Sequence, residues 1–542
     1  MQTINADVIV IGSGSAGATA AGRIAMDSGA RVLVIEAGGR DWNPLLRVPL
    51  MTGILLRNRY ANWFYHTEPE PHLNNRKLFW PRGKVLGGSS AINGMVWTRG
   101  LPSDYDGWAQ TGLPDWSWDK VLRSYREIEG HWGGETELHG GTGRQKLSTY
   151  DRINPLSQAF LDAGQQAGHP RVTDFNAGAA VGVGRYDYTI HGGRRVSAAR
   201  AFLRPAAEGG NLQVLTGARV LRILTEKGRA TGVDLAIGKR RVTVHAGSEI
   251  ILAAGAVNSP QILMLSGIGP ADHLRETGID VVADLPGVGQ NLRDHLLVRV
   301  EYDCTRPVTL HNLLRADRAG KALLEALWRG TGPAARFPLE AGAFLKSDDA
   351  LDEPDLQAHF LPGRSTAAVR MPFSRAPDRG HGFFANVYQM RPDSTGHIAL
   401  RSADPFDAPK IHGNYLSAPR DIAVLRAGVR RLREIIAQPA LDGFRGAENA
   451  PGTARQSDAE LDAWIRQVAD TVFHPVGTCR MGTDAMSVVD GALRLRGIDG
   501  LRVADASVMP TMPSCNTGAP SQMIGSKAAD FVMAALNGRT AA

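Results

Sequence analysis

Cysteine is scarce in this chain: its 542 residues include three, Cys304, Cys479 and Cys515. An odd, sparse set does not build a disulfide framework and is typical of a reducing compartment. No spacing of histidine and cysteine matches a metal-binding motif, so we predict no metal site. We interpret Cys479 as a packed thiol rather than a nucleophile.

Long hydrophobic runs are also missing. No run approaches the roughly 18 apolar residues that a membrane-spanning helix requires. The N-terminus has no cationic stretch followed by an apolar segment of signal-peptide length. We therefore expect a cytoplasmic protein. Because the net charge is +7, peripheral association with the anionic inner face of a membrane stays open.

Runs of like charge, internal repeats and low-complexity segments are absent as well. The 61 basic and 54 acidic residues are spread along the chain, whereas a nucleic-acid-binding protein concentrates positive charge in a patch. We therefore predict no nucleic-acid partner. With 43% hydrophobic residues in 542, the chain can bury a large core and divide into two or more structural units.

A nucleotide-binding pattern stands at the start of the chain. The apolar run at residues 8–11 predicts a buried parallel strand, and Gly12, Gly14 and Gly17 follow it in G-x-G-x-x-G spacing. In this pattern Gly12 permits the tight turn and Gly14 lets a pyrophosphate approach the backbone. Gly17 lets the following helix pack closely on the strand.

The residues after these glycines complete the pattern. A helix from about Ser15 offers free N–H groups and the positive end of its dipole to the pyrophosphate. Gly29 ends that helix before a second strand at residues 31–35. Glu36 follows 19 residues after Gly17, where a carboxylate accepts hydrogen bonds from ribose hydroxyls. The pattern predicts an ADP-containing dinucleotide, either NAD or FAD.

Five further segments carry a family resemblance. They are PRGKVLGGSSAIN (81–93), GAVNSPQILMLSGIG (255–269), DLPGVGQNLRDH (284–295), HPVGTCRMG (474–482) and VADASVMP (503–510). These motifs resemble the signatures of the glucose–methanol–choline family of FAD-dependent oxidoreductases, in the expected order and over nearly the whole chain. The bacterial alcohol and choline dehydrogenase branch is the most similar. The resemblance favours FAD over NAD.

The resemblance and the hydrophobic periodicity together predict an α/β fold in two domains. A doubly wound, Rossmann-like FAD-binding domain takes residues 1–150, 190–300 and 468–542. An α+β substrate domain, with an antiparallel sheet backed by helices, takes residues 151–189 and 301–467. For residues 310–337 three interpretations stand: a mobile lid, a membrane-facing helix, or an ordinary surface hairpin of helices, which we favour.

A set of FAD contacts follows from the glycine pattern and from the resemblance. Gly87 and Gly88 let backbone lie on a flat ligand, beside two serine hydroxyls. Trp80 falls near the position where some relatives carry a histidine bonded to the flavin, so we expect noncovalent FAD. The predicted contacts are Gly12, Ser13, Gly14, Ser15, Ala16, Gly17, Glu36, Ala37, Trp63, Val85, Gly87, Gly88, Ser90, Asn93, Gly94, Met95, Val96, Val220, Ala254, Gly255, Asp505, Ala506, Asn516 and Thr517.

The predicted catalytic base is His474. Its motif places it on a turn forced by Pro475 and Gly477, and a near-neutral imidazole suits removal of a proton from an alcohol. By the resemblance, the site uses a second His or an Asn beside the catalytic histidine, and many relatives have two asparagines shortly before the last helix, of which the second is the usual partner position. Here Gly518 stands at that second position, so either Asn516 or a water takes the role, and the gap makes room for a bulkier alcohol.

The last helix is predicted at residues 520–536. Pro520 stands in its first turn, and Asn537 and Gly538 follow its end. Its N-terminus follows Asn516 and Thr517, so the positive end of its dipole faces the edge of the flavin on which reduction places negative charge.

The chain is therefore predicted to be an FAD-dependent enzyme that oxidises a small-molecule alcohol to an aldehyde or ketone by hydride transfer to the flavin. The resemblance favours a quinone or another carrier over O2 as the electron acceptor. Three alternatives remain: an O2-using oxidase that makes peroxide, a flavin-dependent lyase such as a photodecarboxylase, and a non-catalytic flavoprotein. The sequence does not identify the alcohol or the oligomeric state.

Overall fold

The computed structural model describes residues 6–178, 181–371 and 380–540. Two large sheets organise this part of the chain. The α-helices are α1 (Ser15–Asp27), α2 (Thr52–Leu55), α3 (Pro102–Gln110), α4 (Trp118–Ile128), α5 (Pro155–Gln166), α6 (Arg204–Glu208), α7 (Gly255–Leu265), α8 (Ala271–Glu276), α9 (Ala316–Arg329), α10 (Pro419–Ile436), α11 (Asp458–Val468) and α12 (Gly518–Thr540).

The first sheet has seven strands. In spatial order they are Leu212–Thr216, Val32–Glu36, Ala6–Ile11, Arg240–Leu252, Arg229–Ile237 and Ala218–Glu226, with Leu501–Val503 also paired to Arg240–Leu252. The strands at its centre are parallel, and their paired segments, such as residues 8–11, 32–35 and 250–252, are apolar and buried because helices cover both faces of such a sheet. The predicted strand–turn–helix at the start of the chain is thereby confirmed.

The second sheet has eight strands and is almost entirely antiparallel. In spatial order they are Arg445–Ala450, Leu296–Cys304, Gly382–Gln389, Leu356–Leu361, Ala341–Leu345, Gly182–Gly184 and Arg171–Val172, with Asp470–Thr471 paired to Leu296–Cys304. α5 and α10 pack against it. In α10 the buried Ile422, Leu425, Val429 and Leu432 recur at helical spacing.

The predicted fold class is confirmed: an α/β dinucleotide-binding unit and an α+β unit with a helix-backed antiparallel sheet. The exact domain boundaries stay a prediction. The strand Leu296–Cys304 crosses the boundary predicted at residue 300, and Asp470–Thr471 pairs with the second sheet although it was predicted in the FAD-binding segment.

The predicted end of the last helix is wrong. α12 begins at Gly518 and continues to Thr540, so Asn537 and Gly538 lie inside it. Pro520 is then the third helical residue, where its missing N–H removes no hydrogen bond because the first four N–H groups of a helix have no intrahelical partner. No helix in the described ranges combines the length and the apolar character needed to cross a bilayer.

Candidate active site

A cavity of about 1480 Å³ lies between the two sheets. It begins at the glycine turn around Gly12, passes His474 and is closed by second-sheet residues such as Phe384. Pockets for single small ligands usually measure about 300–1000 Å³. The cavity therefore has room for a dinucleotide and a second small molecule side by side.

The glycine turn forms the nucleotide end of the cavity. Gly12 has a φ of 99°, and a Cβ there would lie 2.4 Å from the Ala253 carbonyl oxygen. A Cβ on Gly17 would lie 2.1 Å from the Gly12 carbonyl oxygen, whereas one on Gly14 would meet nothing within 4 Å. Since no side chain caps the start of α1, its free N–H groups border open space of the kind a pyrophosphate fills.

Glu36 lies where the ribose is expected, at the end of the strand Val32–Glu36. Its buried carboxylate lines the cavity and accepts hydrogen bonds from Ser13 N (3.1 Å), Ser13 Oγ (2.5 Å) and Gly38 N (2.7 Å). Burial raises the pKa of Glu36, and these donors oppose the rise. The donor set and the open glycine turn fit the ADP half of a dinucleotide.

Most of the predicted cofactor residues line this one cavity, although they come from distant parts of the chain. Trp63 is among them, with the Lys84 ammonium 4.5 Å and the Arg219 guanidinium carbon 5.1 Å from its ring centre. The lining includes Gly12, Ser13, Gly14, Ser15, Ala16, Glu36, Ala37, Trp63, Gly88, Asn93, Gly94, Met95, Val96, Val220, Ala254, Gly255, Asp505, Ala506, Asn516 and Thr517.

Four predicted cofactor residues do not line the cavity: Gly17, Val85, Gly87 and Ser90. Gly17 packs against the turn, and fully buried Val85 forms a bridge with Gly39. Ser90 Oγ donates to the Gly87 carbonyl (2.5 Å) and accepts from the Ala198 backbone (3.0 Å). Their place is in the wall behind the cavity, where they fix its shape.

The structure also places Trp80, the residue on which the expectation of noncovalent FAD was based. Its side chain is 1% exposed and lies outside the cavity lining, whereas its neighbours Phe79 and Pro81 are part of it. The indole therefore packs in the core and does not border the cavity. In the described part of the chain the cavity is lined by two histidines, His359 and His474, and by no cysteine or tyrosine.

His474 is held on a strained turn. Phe473 has a φ of 67°, a conformation that costs a bulky residue free energy and so requires support from its surroundings. The support is Asp294: its Oδ1 accepts the His474 backbone N–H at 2.7 Å, and its Oδ2 accepts the hydroxyls of Tyr415 (2.5 Å) and Thr471. Burial raises the pKa of Asp294 to about 6.

His295 determines which nitrogen of His474 carries the proton. His295 Nε2 lies 2.8 Å from the Met390 carbonyl oxygen, which can only accept, so Nε2 is the donor. Burial lowers the pKa of His295 to about 4, so the ring is neutral and its Nδ1 has a lone pair. That Nδ1 lies 3.0 Å from His474 Nδ1. His474 therefore carries its proton on Nδ1, and its Nε2 has the lone pair that can accept a hydrogen bond or a proton.

Asn516 meets the other side of the His474 ring. Its Nδ2 lies 3.4 Å from His474 Nε2. Its Oδ1 accepts from Thr98 Oγ1 (3.1 Å) and Gln357 Nε2 (3.0 Å), which turns the amide N–H toward the histidine. Gly518 lies two residues further on, and a Cβ there would meet only Asn93 Nδ2, at 3.7 Å. A basic nitrogen and an amide donor thus converge on one point of the cavity.

The charge state of His474 follows from its surroundings. Burial lowers its pKa well below 6.5, and the neighbouring His295 and His359 lower it further. His474 is therefore neutral at physiological pH, which is the state a general base requires.

Sequence reasoning assigned no role to His295 and Asp294. Both stand at the end of the DLPGVGQNLRDH motif, and this adjacent acid and histidine were the available signal. Pairing them with His474 requires knowing that the strand Leu296–Cys304 pairs with Asp470–Thr471, a contact between segments far apart in the chain.

Comparison with known proteins identifies the family. The GMC oxidoreductase family matches residues 6–297 and 392–525. The chain belongs to the GMC oxidoreductase family. GMC oxidoreductases bind FAD, and the cavity fits the ADP half of that dinucleotide through Glu36 and the glycine turn. The predicted family and cofactor are confirmed.

Three similar GMC oxidoreductases span nearly the full length. The oxygen-dependent choline dehydrogenase of Brucella ovis is 44% identical over 98% of this chain and 96% of its own. Human mitochondrial choline dehydrogenase is 44% identical over 97% of this chain and 89% of its own. The crystal structure of pyridoxine 4-oxidase from Mesorbium loti superposes with a TM-score of 0.88 at 32% identity, covering 98% of this chain and 99% of its own.

Proposed function

We propose that this enzyme oxidises an alcohol to an aldehyde or ketone with His474 as the general base. The observation that carries the proposal is the chain of contacts from Met390 through His295 and His474 to Asn516. It fixes the proton of His474 on Nδ1, which makes Nε2, beside Asn516, the basic nitrogen of the cavity. Relatives named as choline dehydrogenases support alcohol oxidation as the reaction class.

The roles of the individual side chains follow from this geometry. His474 Nε2 takes the hydroxyl proton, and the resulting imidazolium keeps its Nδ1–H bond to His295. Asn516 Nδ2 donates to the oxygen that loses the proton, which favours the alkoxide. The glycine turn and Glu36 would hold the ADP half of FAD, and the bound cofactor would supply the acceptor for the hydride on the carbon that bears this oxygen. The positive end of α12 borders the cavity at Gly518 and favours negative charge there.

Replacement of His474 by alanine tests the proposal. General-base catalysis typically contributes about 10²–10⁴-fold, so flavin reduction in anaerobic single turnover with His474→Ala is expected to slow by that factor at unchanged FAD content. A loss smaller than about tenfold would remove His474 from the mechanism. If no alcohol bleaches the flavin of the wild-type enzyme, the protein is instead a non-catalytic flavoprotein.

We further propose that FAD is bound without a covalent link. The cavity lining supports this, since it includes two histidines among the residues that the structure describes. His474 is engaged by His295 and Asn516, and His359 lies 3.2 Å from Gln357 Nε2. Acid precipitation should leave all the yellow colour in the supernatant. Colour that stays with the precipitate would show a covalent bond.

We propose that the electron acceptor is a carrier such as a quinone and that the enzyme lies at the surface of the membrane. The helix α9 supports both proposals, because its inner residues Ala319 and Ala322 line the cavity and its outer residues Leu324 and Trp328 are exposed. Of the three interpretations of residues 310–337, this arrangement favours the membrane-facing helix. An assay for peroxide tests the acceptor, since peroxide formed in equal amount to the oxidised alcohol would indicate an oxidase.

A further inference from the structure

The second sheet presents one face to the substrate end of the cavity. Its register places Leu297 opposite Tyr388, whose ring centre is 6.2 Å from that of His474. Two residues further along the same strand, Arg299 stands opposite Asn386. Since alternate residues of a strand share a face and rise about 3.3 Å each, Leu297 and Arg299 stand about 7 Å apart on one face of the strand, and both line the cavity.

The substrate end of the cavity is mainly apolar. Leu297, Leu339, Leu361, Phe337 and Phe384 all line it. Of these, Leu297, Leu339 and Phe384 are less than 9% exposed, so the body of a bound alcohol meets hydrocarbon on this side. Such walls favour an apolar ligand and give no charge to pair with.

The charged residues of the lining are predominantly basic. In the described part of the chain the arginines that line the cavity are Arg57, Arg59, Arg82, Arg219 and Arg299, and the acids are Glu36, Asp470 and Asp505. Glu36 belongs to the nucleotide end. The Asp505 carboxylate accepts from Gly255 N (2.8 Å) and Ser259 Oγ (2.6 Å), so it belongs to the base of α7.

Asp470 is the remaining acid, and it has a cationic partner. Its Oδ2 lies 3.8 Å from Arg299 Nη2. A positively charged substrate would have to compete with this guanidinium for the one carboxylate at the substrate end of the described lining. Recognition of a quaternary ammonium ordinarily uses a free carboxylate or a cage of aromatic rings. Trp63, the strongest cation–π partner in the described lining, is already faced by Lys84 and Arg219, and the substrate end offers Phe337 and Phe384, whose rings are weaker partners.

From this distribution we infer that the substrate is an uncharged alcohol with an apolar body, and that Leu297 and Arg299 select against cationic alcohols such as choline. The inference rests on the proposed alcohol oxidation and names the class of alcohol. It separates this chain from the relatives whose names give choline as the substrate, although 44% of the residues are identical. A guanidinium that already occupies Asp470 leaves a bound cation without a counter-charge and adds like-charge repulsion, which disfavours binding of the cation.

A comparison of alcohols with the wild-type holoenzyme tests the inference. Anaerobic flavin bleaching should give a kcat/KM for 1-hexanol or benzyl alcohol at least about 100-fold above that for choline, the discrimination that a few kcal/mol of differential binding supplies. A kcat/KM for choline equal to or above those of the uncharged alcohols would overturn the inference. Bleaching by none of these alcohols would count against the proposed function instead.

Substitutions at the two named positions show whether these side chains are the cause. Leu297→Glu adds a carboxylate to the apolar wall of the cavity, with Leu297→Gln as the uncharged control of the same shape. Arg299→Gln removes the guanidinium and frees Asp470. Both charge-changing variants should raise the ratio of choline to hexanol kcat/KM by about tenfold or more, and Leu297→Gln should not.

FAD content and melting temperature identify any variant that fails to fold. If Leu297→Glu loses FAD, the test depends on Arg299→Gln alone. The Arg299 side chain is partly exposed, so it can be replaced without opening the core. A folded Arg299→Gln with an unchanged ratio would refute the role of this charge. A rise in the ratio equally large in Leu297→Gln would show that size, not charge, governs the selection.

Discussion

At the scale of single residues, the site depends on which nitrogen of His474 carries the proton. A chain of hydrogen bonds fixes that choice. The Met390 carbonyl oxygen orients His295, and His295 in turn orients His474. Neither partner needs to touch the alcohol. His295 is therefore a positioning residue, and its contribution is to keep the lone pair of His474 on Nε2.

Two substitutions of His295 separate positioning from packing. In His295→Asn the amide oxygen can take the place of Nδ1 and accept from His474, whereas His295→Leu fills the space without an acceptor. We expect flavin reduction to slow by about 10-fold or more in His295→Leu, the scale of a lost hydrogen bond in a buried site, with substantial recovery in His295→Asn. Equal losses in both variants at equal FAD content would assign His295 a packing role only.

The pH dependence of kcat/KM reports the charge state of His474. Burial lowers its pKa below 6.5, so the basic form persists at lower pH than for an ordinary histidine, and activity is lost only as the pH falls further. We expect the acid limb of kcat/KM below pH 6.5. A limb at or above pH 7 in the wild type would contradict the lowered pKa.

Asp294 is the control for that pH profile. Its pKa of about 6 places it in the same range, and its protonation would weaken the hydrogen bond that holds the His474 backbone. Asp294→Asn keeps the shape and removes this titration. A limb near pH 6 that disappears in Asp294→Asn belongs to Asp294, whereas a limb that remains belongs to His474.

At the scale of elements, the start of α12 controls the width of the site. Gly518 lines the cavity as the first residue of α12, and a Cβ there would make only an ordinary contact with Asn93 Nδ2 at 3.7 Å. The position therefore admits a side chain without distorting the helix. The absence of one widens the space beside His474 and Asn516.

Gly518→Asn should narrow the range of alcohols that the enzyme accepts. The added amide would project into the space beside Asn516. The kcat/KM for a secondary or aromatic alcohol should therefore fall by about 10-fold or more, which is the effect of one misfitting group in a pocket. The kcat/KM for a short primary alcohol should change little. Gly518→Ala is the matched control, with a smaller effect in the same direction. An unaltered substrate range in Gly518→Asn would show that Gly518 does not limit the pocket.

α9 is the element expected to meet the membrane. Leu324 and Trp328 are 58% and 85% exposed and stand four residues apart, on one side of the helix. Lys321 precedes them by one turn. Exposed Trp and Leu beside a basic residue are typical of a helix that lies in the interface of an anionic bilayer.

Flotation with anionic lipid vesicles tests this surface. The double variant Leu324→Ser and Trp328→Ser should lower the bound fraction of the holoenzyme strongly, because each large apolar side chain contributes roughly 1.5–3 kcal/mol when buried. Val282→Ser is the control, since Val282 is 48% exposed on another part of the chain. An equal loss in Val282→Ser, or no binding by the wild type, would refute a specific membrane surface at α9.

At the scale of the whole molecule, the cavity ties together segments from the start, the middle and the end of the chain. Ser13, Ala254, Asp505 and Thr517 lie in its wall together. A ligand that fills it therefore stabilises contacts between distant segments, and its free energy of binding adds to the free energy of unfolding.

Removal of FAD should lower the melting temperature of the protein. At an FAD concentration of about 100 times Kd, binding adds about 2.7 kcal/mol to the free energy of unfolding. This corresponds to an increase in melting temperature of several degrees. Addition of FAD should restore the melting temperature, and addition of NAD should not. Equal restoration by NAD would mean that the cavity does not discriminate between the two dinucleotides.

The sequence by itself determined the nucleotide-binding turn, the α/β fold class, the family and the candidate base. These features depend on local spacing: the positions of Gly12 and Gly17 and the turn around His474 are visible in short stretches of residues. A Cβ at these two glycine positions would collide with backbone. The positions therefore accept only glycine, and their spacing can be recognised in the sequence.

Only the tertiary structure decided which residues meet His474. His295 arrives on a strand of the second sheet and Asn516 from the turn before α12, so their distances depend on the packing of units that no local pattern encodes. The same holds for Trp80, which turned out to face the core, and for the end of α12, which passes Asn537. The charge balance of the substrate pocket is likewise a property of strand register, because register decides whether Leu297 and Arg299 face the cavity or the core.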